Sequence, residues 1–281
     1  EAQKLTFIIP IFEDSSLSQY YIHAISDRWL SAETVVPMPL SDVVMPTNYT
    51  PNTELLDLQP MPVSSLSNKG FESLYPFTHF NPVQTQAFHA MYHSDVNALI
   101  GAPTGSGKTI IAELAMLKLF RDSPKLKVVY IGPLKALVRE RMKDWKKKFV
   151  DKLGKSLIEL TGDYTPDVLS LQKADIVTTT PEKWDGISRN WKNRKYVKEV
   201  GLMVIDEIHL LGEERGPILE VIVSRMRYIS SQTDTPIRII GLSTALANAE
   251  DLSDWLGTDP NMVSTITCLQ FLTLQPGPLQ L

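Results

Sequence analysis

The chain has a single cysteine, Cys268, in 281 residues. One thiol excludes an intrachain disulfide framework and a cysteine zinc cluster. No apolar run reaches about eighteen residues, the length a bilayer-crossing helix needs, and the first residues lack the pattern of a secretory signal. Basic charge is not in excess either: 28 Lys and Arg stand against 32 Asp and Glu, a formal net charge of −4. Any nucleic-acid surface must therefore be local. With 43% hydrophobic and 21% charged residues, the composition is that of a soluble globular protein, and intracellular is the plain reading. The length leaves room for one large or two modest domains.

Along the chain the pattern changes character three times. Residues 1–46 carry β-type runs at Leu5–Ile11, Tyr20–Ser26 and Glu33–Val36, too few strands for a sheet with its own core. They read as the closing part of a β-sandwich. Residues 47–69 lie in a stretch crowded with Pro46, Pro51, Pro60 and Pro62, the composition of an extended linker. Within it, Glu54–Leu58 is apolar enough to lie along a neighbouring surface. From 70 to 258, short apolar runs alternate with helical stretches: Ala98–Gly101, Val128–Ile131, Leu157–Leu160, Asp175–Thr178, Leu202–Ile205 and Ile239–Leu242. Long helices are expected over Lys108–Arg121, Ala136–Val150 and Ile218–Tyr228. This alternation predicts an α/β domain, a parallel sheet with helices on both faces. Residues 259–281 form a tail without a charged side chain from Asn261 onward, and its Ile266, Leu269, Phe271 and Leu272 are a solubility liability.

Ala102-Pro103-Thr104-Gly105-Ser106-Gly107-Lys108-Thr109 follows the first of these strands. It has the form of a phosphate-binding loop, in which glycines turn backbone N–H groups onto a polyphosphate. Lys108 would reach the β/γ-phosphates, and the Thr109 hydroxyl would ligate Mg²⁺. Ala102 occupies the position where the general pattern opens with Gly. Further on, Leu202–Ile205 ends in Asp206-Glu207-Ile208-His209, a buried strand that delivers one carboxylate for a metal and another for a water. Both motifs fall at the carboxyl ends of strands, where open α/β sheets bind ligands. The expectation is an ATP site.

Other motifs are weaker singly. Phe80-Asn81-Pro82-Val83-Gln84 precedes the loop; the Gln84 amide can donate and accept at once, which suits an adenine edge, and Phe77 or Phe80 could stack on the base. Pro133 and Lys135 follow the second strand, Thr161 and Gly162 the third, and Thr180 and Pro181 the fourth. Three such loops on consecutive strands can line the path of a nucleic-acid backbone. Arg139, Arg141, Lys143 and Lys146–Lys148 lie on the next helix, although a lysine run is most often a solvated face.

Taken together, Phe80–Gln84, Ala102–Thr109, Pro133–Leu137, Thr161–Asp163, Thr180–Asp185, Asp206–His209, Arg215–Pro217 and Leu242–Ala245 resemble the first RecA-like domain of a Ski-two-like DExH helicase of superfamily two. Tyr20–Glu33 resembles the end of the immunoglobulin-like module, and Thr53–Pro62 the linker, of tandem-cassette members. The resemblance implies ATP and Mg²⁺ as cofactors, with Thr109 and Asp206 at the metal and Glu207 polarising the attacking water. It also implies that His209, Ser243 and Thr244 link the nucleotide to the nucleic-acid face. It further implies 3′→5′ movement on single-stranded DNA or RNA, other subunits of a multiprotein complex as partners, no membrane, and a place in nucleus and cytosol. A family member continues into a second RecA-like domain, so the chain is expected to be incomplete for unwinding. The alternative is a non-catalytic ATP-binding cassette that serves as a protein-docking scaffold.

Overall fold

A computed structural model describes residues 19–26, 28, 32–39, 55–164, 166–212, 216–233, 235–244, 249–258 and 265–267. The expected run Leu5–Ile11, Glu54, Arg215, Ala245 and the tail beyond Thr267 lie outside the described residues. The chain forms two units, 1–50 and 51–281. In the first, β1 (Gln19–Ile25) and β2 (Glu33–Pro39) pair antiparallel, with Ile22 opposite Val36. A small antiparallel sheet of this kind fits a β-sandwich remnant.

The second unit begins inside the stretch read as linker. Leu55, Leu56 and Leu58 are exposed, but Val63 and Leu66, in a 3-10 turn at Val63–Leu66, are buried. The extended character thus stops before residue 69. There follow α1 (Lys69–Glu72), α2 (Pro82–Tyr92), β3 (Ala98–Gly101), α3 (Lys108–Asp122) and β4 (Lys127–Ile131). Next come α4 (Lys135–Trp145), a π-helical turn at Lys146–Val150, α5 (Asp151–Leu153), β5 (Leu157–Leu160), α6 (Val168–Lys173) and β6 (Ile176–Thr179). After these lie α7 (Pro181–Ser188), α8 (Lys195–Lys198), β7 (Val200–Ile205), a 3-10 turn at Ile208–Gly212, α9 (Gly216–Gln232), β8 (Arg238–Ser243), α10 (Ala249–Leu256) and β9 (Thr265–Thr267).

The sheet is parallel, in the order β5-β6-β4-β7-β8-β3-β9. Six strands are those expected. The seventh comes from the uncharged tail: β9 pairs with β3 and covers its edge. Strand parity sorts the two cores, because alternate residues face opposite sides. Val128, Tyr130, Leu202 and Val204 pack with α2 and α3 residues such as Phe88, Ile111 and Leu114. Val129, Ile131, Met203 and Ile205 pack on the other face with Trp184, Ile222 and Met226 of α7 and α9. Burial on both faces explains why the strands read as continuous apolar runs.

One buried cation ties the end of α2 to the start of β8, at the end of the sheet opposite the phosphate loop. Arg238, at the start of β8, donates to the carbonyls of Ala90, Met91 and Val96, at 2.7, 3.0 and 2.8 Å. Two of those carbonyls end α2, where the helix leaves them without partners. Burial pushes the guanidinium down to about 10, partly offset by Asp95. Replacing Arg238 by Met is expected to cost about 2–3 kcal/mol of unfolding free energy, since carbonyls lose a charged donor. Urea unfolding measures it; a loss below about 0.5 kcal/mol, the range of an ordinary surface change, would contradict the role.

Candidate functional site

The carboxyl ends of β3, β8 and β7 are neighbours in the sheet, and the loops that leave them meet. Gly105 and Gly107 have φ of +83° and +87°, left-handed backbone that glycine adopts without strain. A Cβ on Gly105 would meet nothing within 4 Å, whereas one on Gly107 would lie 2.2 Å from Gln84 Nε2. The loop is thus open at Gly105 and closed against α2 at Gly107. Ala102 is buried and its N–H donates to the Ser243 carbonyl at 3.0 Å, tying the loop to β8. Lys108 Nζ donates to the carbonyls of Ala102 (2.6 Å) and Pro103 (3.1 Å). Burial lowers its pKa, and Glu207 and Asp206 raise it in part.

The opposite wall comes from β7. The Asp206 N–H bonds to the Ile131 carbonyl at 2.9 Å, and the Glu207 N–H to Asp206 Oδ1 at 3.0 Å. Glu207 has φ of +54°, which for a non-glycine residue stores strain and often marks a functional turn. Its Oε2 is buried, has no hydrogen-bond partner among the described residues, and lies 3.4 Å from His209 Nδ1. Ser243 Oγ and Thr244 Oγ1 approach the same nitrogen at 3.4 and 3.5 Å. His209, Ser243 and Thr244, expected to act together, are thus in one cluster with Glu207. Ser106 Oγ is likewise buried without a partner. The hydroxyls of Ser106 and Thr109 and the carboxylates of Asp206 and Glu207 are hard oxygen donors, the kind that suits Mg²⁺, and Ser106 Oγ and Glu207 Oε2 are the two left without partners.

Gln84 belongs to this region but is already engaged. Asn81 and Gln84 form a reciprocal capping box at the start of α2, with Gln84 N–H to Asn81 Oδ1 at 2.8 Å and Asn81 N–H to Gln84 Oε1 at 3.1 Å. Asn81 Nδ2 also donates to the Ser106 carbonyl at 2.8 Å, and Gln84 Nε2 is 3.5 Å from that of Gly107. Of the two aromatics considered for base stacking, Phe80 is only 1% exposed and packs edge-on to Tyr75 and Phe77. Its ring belongs to the core. Phe77 is half-buried and remains at the surface.

The remaining predicted residues gather at the ends of β4, β6 and β5, also neighbours. Pro133, Thr161, Thr180 and Pro181 are buried, while Lys135 and Gly162 are exposed. Thr180 is the N-cap of α7 without a side-chain cap bond, and Pro181 is its first residue. Thr161 Oγ1 donates to Glu159 at 2.7 Å. Lys135 and Arg139 both hold Asp163, at 2.7 and 2.8 Å. Of the cations read on this helix, Lys143 of α4 and Lys146 and Lys147 of the π-helical turn are exposed, but two others point inward. Lys148 turns inward to the buried Glu113 at 2.9 Å, and Arg141 donates to Thr109 Oγ1 at 3.1 Å.

Sequence reading missed Tyr130, whose hydroxyl donates to Asp206 Oδ2. Burial, then Asp206, raises that hydroxyl's pKa, so it remains a donor. Nothing in a buried Val-Val-Tyr-Ile run distinguishes such a tyrosine from core. Asn81, by contrast, is legible as the partner of Gln84 in an Asn-x-x-Gln capping box.

A parallel sheet with a phosphate loop on β3 and an Asp-Glu-x-His turn on β7 defines a RecA-like nucleotide-binding domain of helicase type. The sequence profile of the DEAD/DEAH box helicases matches residues 81–252, and the chain belongs to that family. It is 63% identical over 256 residues to activating signal cointegrator 1 complex subunit 3 of Homo sapiens, and 65% to that of Dictyostelium discoideum, in each case over 91% of this chain. It is 66% identical over 92% of its length to DExH-box ATP-dependent RNA helicase DExH14 of Arabidopsis thaliana. It spans 12% of the length of each of these relatives. Among solved structures, DEAD-box helicase Mss116 bound to ssRNA and UDP-BeF superposes with a TM-score of 0.61, at 21% identity over 73% of this chain and 45% of that one. DUF1998 helicase MrfA gives 0.58 at 20% identity, over 73% of this chain and 31% of that one. These neighbours share the fold.

The two glycines make a differential prediction. Alanine at either position pays the left-handed cost, but only at 107 must the Gln84 side chain move and give up its cap. Gly107→Ala should lose about 1–2 kcal/mol more stability than Gly105→Ala, the scale of a capping interaction. Chemical unfolding of both variants decides it; equal losses would contradict the packing of Gln84 against the loop.

Proposed function

We propose that the domain binds Mg²⁺·ATP between the phosphate loop and the Asp206–His209 turn, and engages single-stranded DNA or RNA at the ends of β4, β5 and β6. The observation that carries this reading is the approach of Asp206 and Glu207 to Lys108 of the phosphate loop, with the buried oxygens Ser106 Oγ and Glu207 Oε2 left without partners. Lys108 would exchange the carbonyls of Ala102 and Pro103 for phosphate oxygens, a charge-assisted contact stronger than the neutral one it leaves. Thr109 and Asp206 would hold the metal, Asp206 in an orientation set by Tyr130. Bound there, Mg²⁺ supplies charge neutralisation at the phosphates. Glu207 would accept a hydrogen bond from the attacking water and polarise it. The cluster of Glu207, His209, Ser243 and Thr244 supports a path from that water to the nucleic-acid face.

On the other half of the edge, Lys135 and the N-terminus of α7 at Thr180–Pro181 are suited to phosphate oxygens. Their contacts would be to backbone, which supports either DNA or RNA as strand. The relatives' names, a complex subunit and an ATP-dependent RNA helicase, support a helicase within a multiprotein complex. Movement in the 3′→5′ sense and a place in nucleus and cytosol rest on the resemblance to Ski-two-like DExH helicases.

Lys108→Ala should weaken Mg²⁺·ATP binding by about tenfold or more, the worth of one charge-assisted contact. Fluorescent nucleotide titration against the parent chain checks this, and equal affinity would remove the assignment. In the full-length protein, Glu207→Gln should keep nucleotide affinity and lose most turnover, because shape is kept and the carboxylate is not. Near-normal turnover would give Glu207 another role, and binding without turnover in the unmutated protein would favour a scaffold cassette.

A further inference from the structure

Among the described residues, Arg141 is the cation that reaches the proposed metal side from outside both ATP motifs. It lies on α4, which begins at Lys135 in the strand-contacting half, and its side chain is 19% exposed. One guanidinium nitrogen donates to Thr109 Oγ1 at 3.1 Å, and the other terminal nitrogen to Glu140 at 2.9 Å. Two further contacts lock the register of α4 on α3: Trp145 Nε1 and Lys148 Nζ both donate to the buried Glu113, at 2.9 Å. Thr109 and Glu113 are one helical turn apart on α3, as Arg141 and Trp145 are on α4. Arg141 is therefore positioned by packing, not by chance exposure.

The consequence is a competition at one oxygen. A hydroxyl that accepts from a guanidinium offers less electron density to a cation, and two positive charges next to one oxygen repel. Resting on the nucleotide site proposed above, we infer that Arg141 is a positioning residue that exchanges its Thr109 hydrogen bond against metal ligation. It sets how strongly nucleotide binding depends on Mg²⁺. Metal-free ATP would be favoured by Arg141, whose charge sits at Thr109 next to Lys108; Mg²⁺·ATP would be opposed by it, since Thr109 must be released. The exchange would also move α4, whose first two turns carry Lys135 and Arg139 on Asp163. That gives the nucleic-acid half a route to the metal besides the His209 cluster.

The test is the ratio of ATP affinity in excess Mg²⁺ to that in EDTA, measured by titration on the 281-residue chain. Arg141→Met should raise that ratio by about tenfold, the loss of one charged hydrogen bond in one state only. Arg141→Lys, which keeps the charge but not the fork, should fall between. Thermal unfolding of each variant checks folding, and a packing defect alone would shift both affinities together. A ratio within about twofold of the parent, or a fall, would overturn the proposal. The outcome is separable from the site assignment: Lys108→Ala should weaken binding in both conditions, and its failure to do so would remove the site, not the exchange.

Discussion

A parallel sheet buried on both faces has no room for polar chemistry along its length, so function is forced to its carboxyl edge. In this domain the constraint is visible residue by residue. Val128, Val129 and Ile131 of β4 are spent on the two cores, and Tyr130, one of the same strand, sends only its hydroxyl out to Asp206. Leu202 to Ile205 are wholly buried, and the next two residues are the carboxylates. Arg238 takes the other end of the sheet, where it closes α2. Because the sheet order interleaves β8 between β7 and β3, the phosphate loop and the carboxylate turn share Ser243 as a common neighbour.

The same edge is divided electrostatically. On the β3–β7 side, a half-buried ammonium faces two carboxylates, and its pKa falls because burial outweighs their attraction. On the β4–β5 side, Lys135 and Arg139 are held by Asp163, an exposed acid whose pKa is lowered by their hydrogen bonds. A phosphate backbone arriving there would compete with one carboxylate for two cations. Such a surface needs no excess of basic charge, which reconciles a net charge of −4 with the proposed strand contact. It also ties strand contact to salt: the ion pair and the phosphate contact are both exposed, and both are screened.

Most of this was legible in the sequence because the informative residues are contiguous. Six strands were read as apolar runs, and Ala102–Thr109 and Asp206–His209 each carry their chemistry within a few residues of a strand end. What escaped is tertiary. Tyr130 is indistinguishable from core until Asp206 is placed beside it. Arg141 reads as one of a run of cations until α4 is docked on α3. Phe80 looked like a stacking ring and is enclosed by Tyr75, Phe77 and Phe88. Val63 and Leu66, amid prolines and serines, gave no period to follow, yet they are buried. Thr265–Thr267 has the composition of a weak strand, and only the open edge of β3 makes it one.

One nucleotide is proposed to bind where the ends of β3 and β7 meet. Hydrogen exchange of the 281-residue chain, with and without Mg²⁺ and a non-hydrolysable ATP analogue, tests it most directly, because backbone amides of the cradle are the groups that would be covered. Slowed exchange is expected in peptides covering 102–110 and 205–209. Peptides at Gln19–Pro39 and around Val168–Lys173 should not change. Protection spread evenly over the domain, or absent from 102–110, would contradict it.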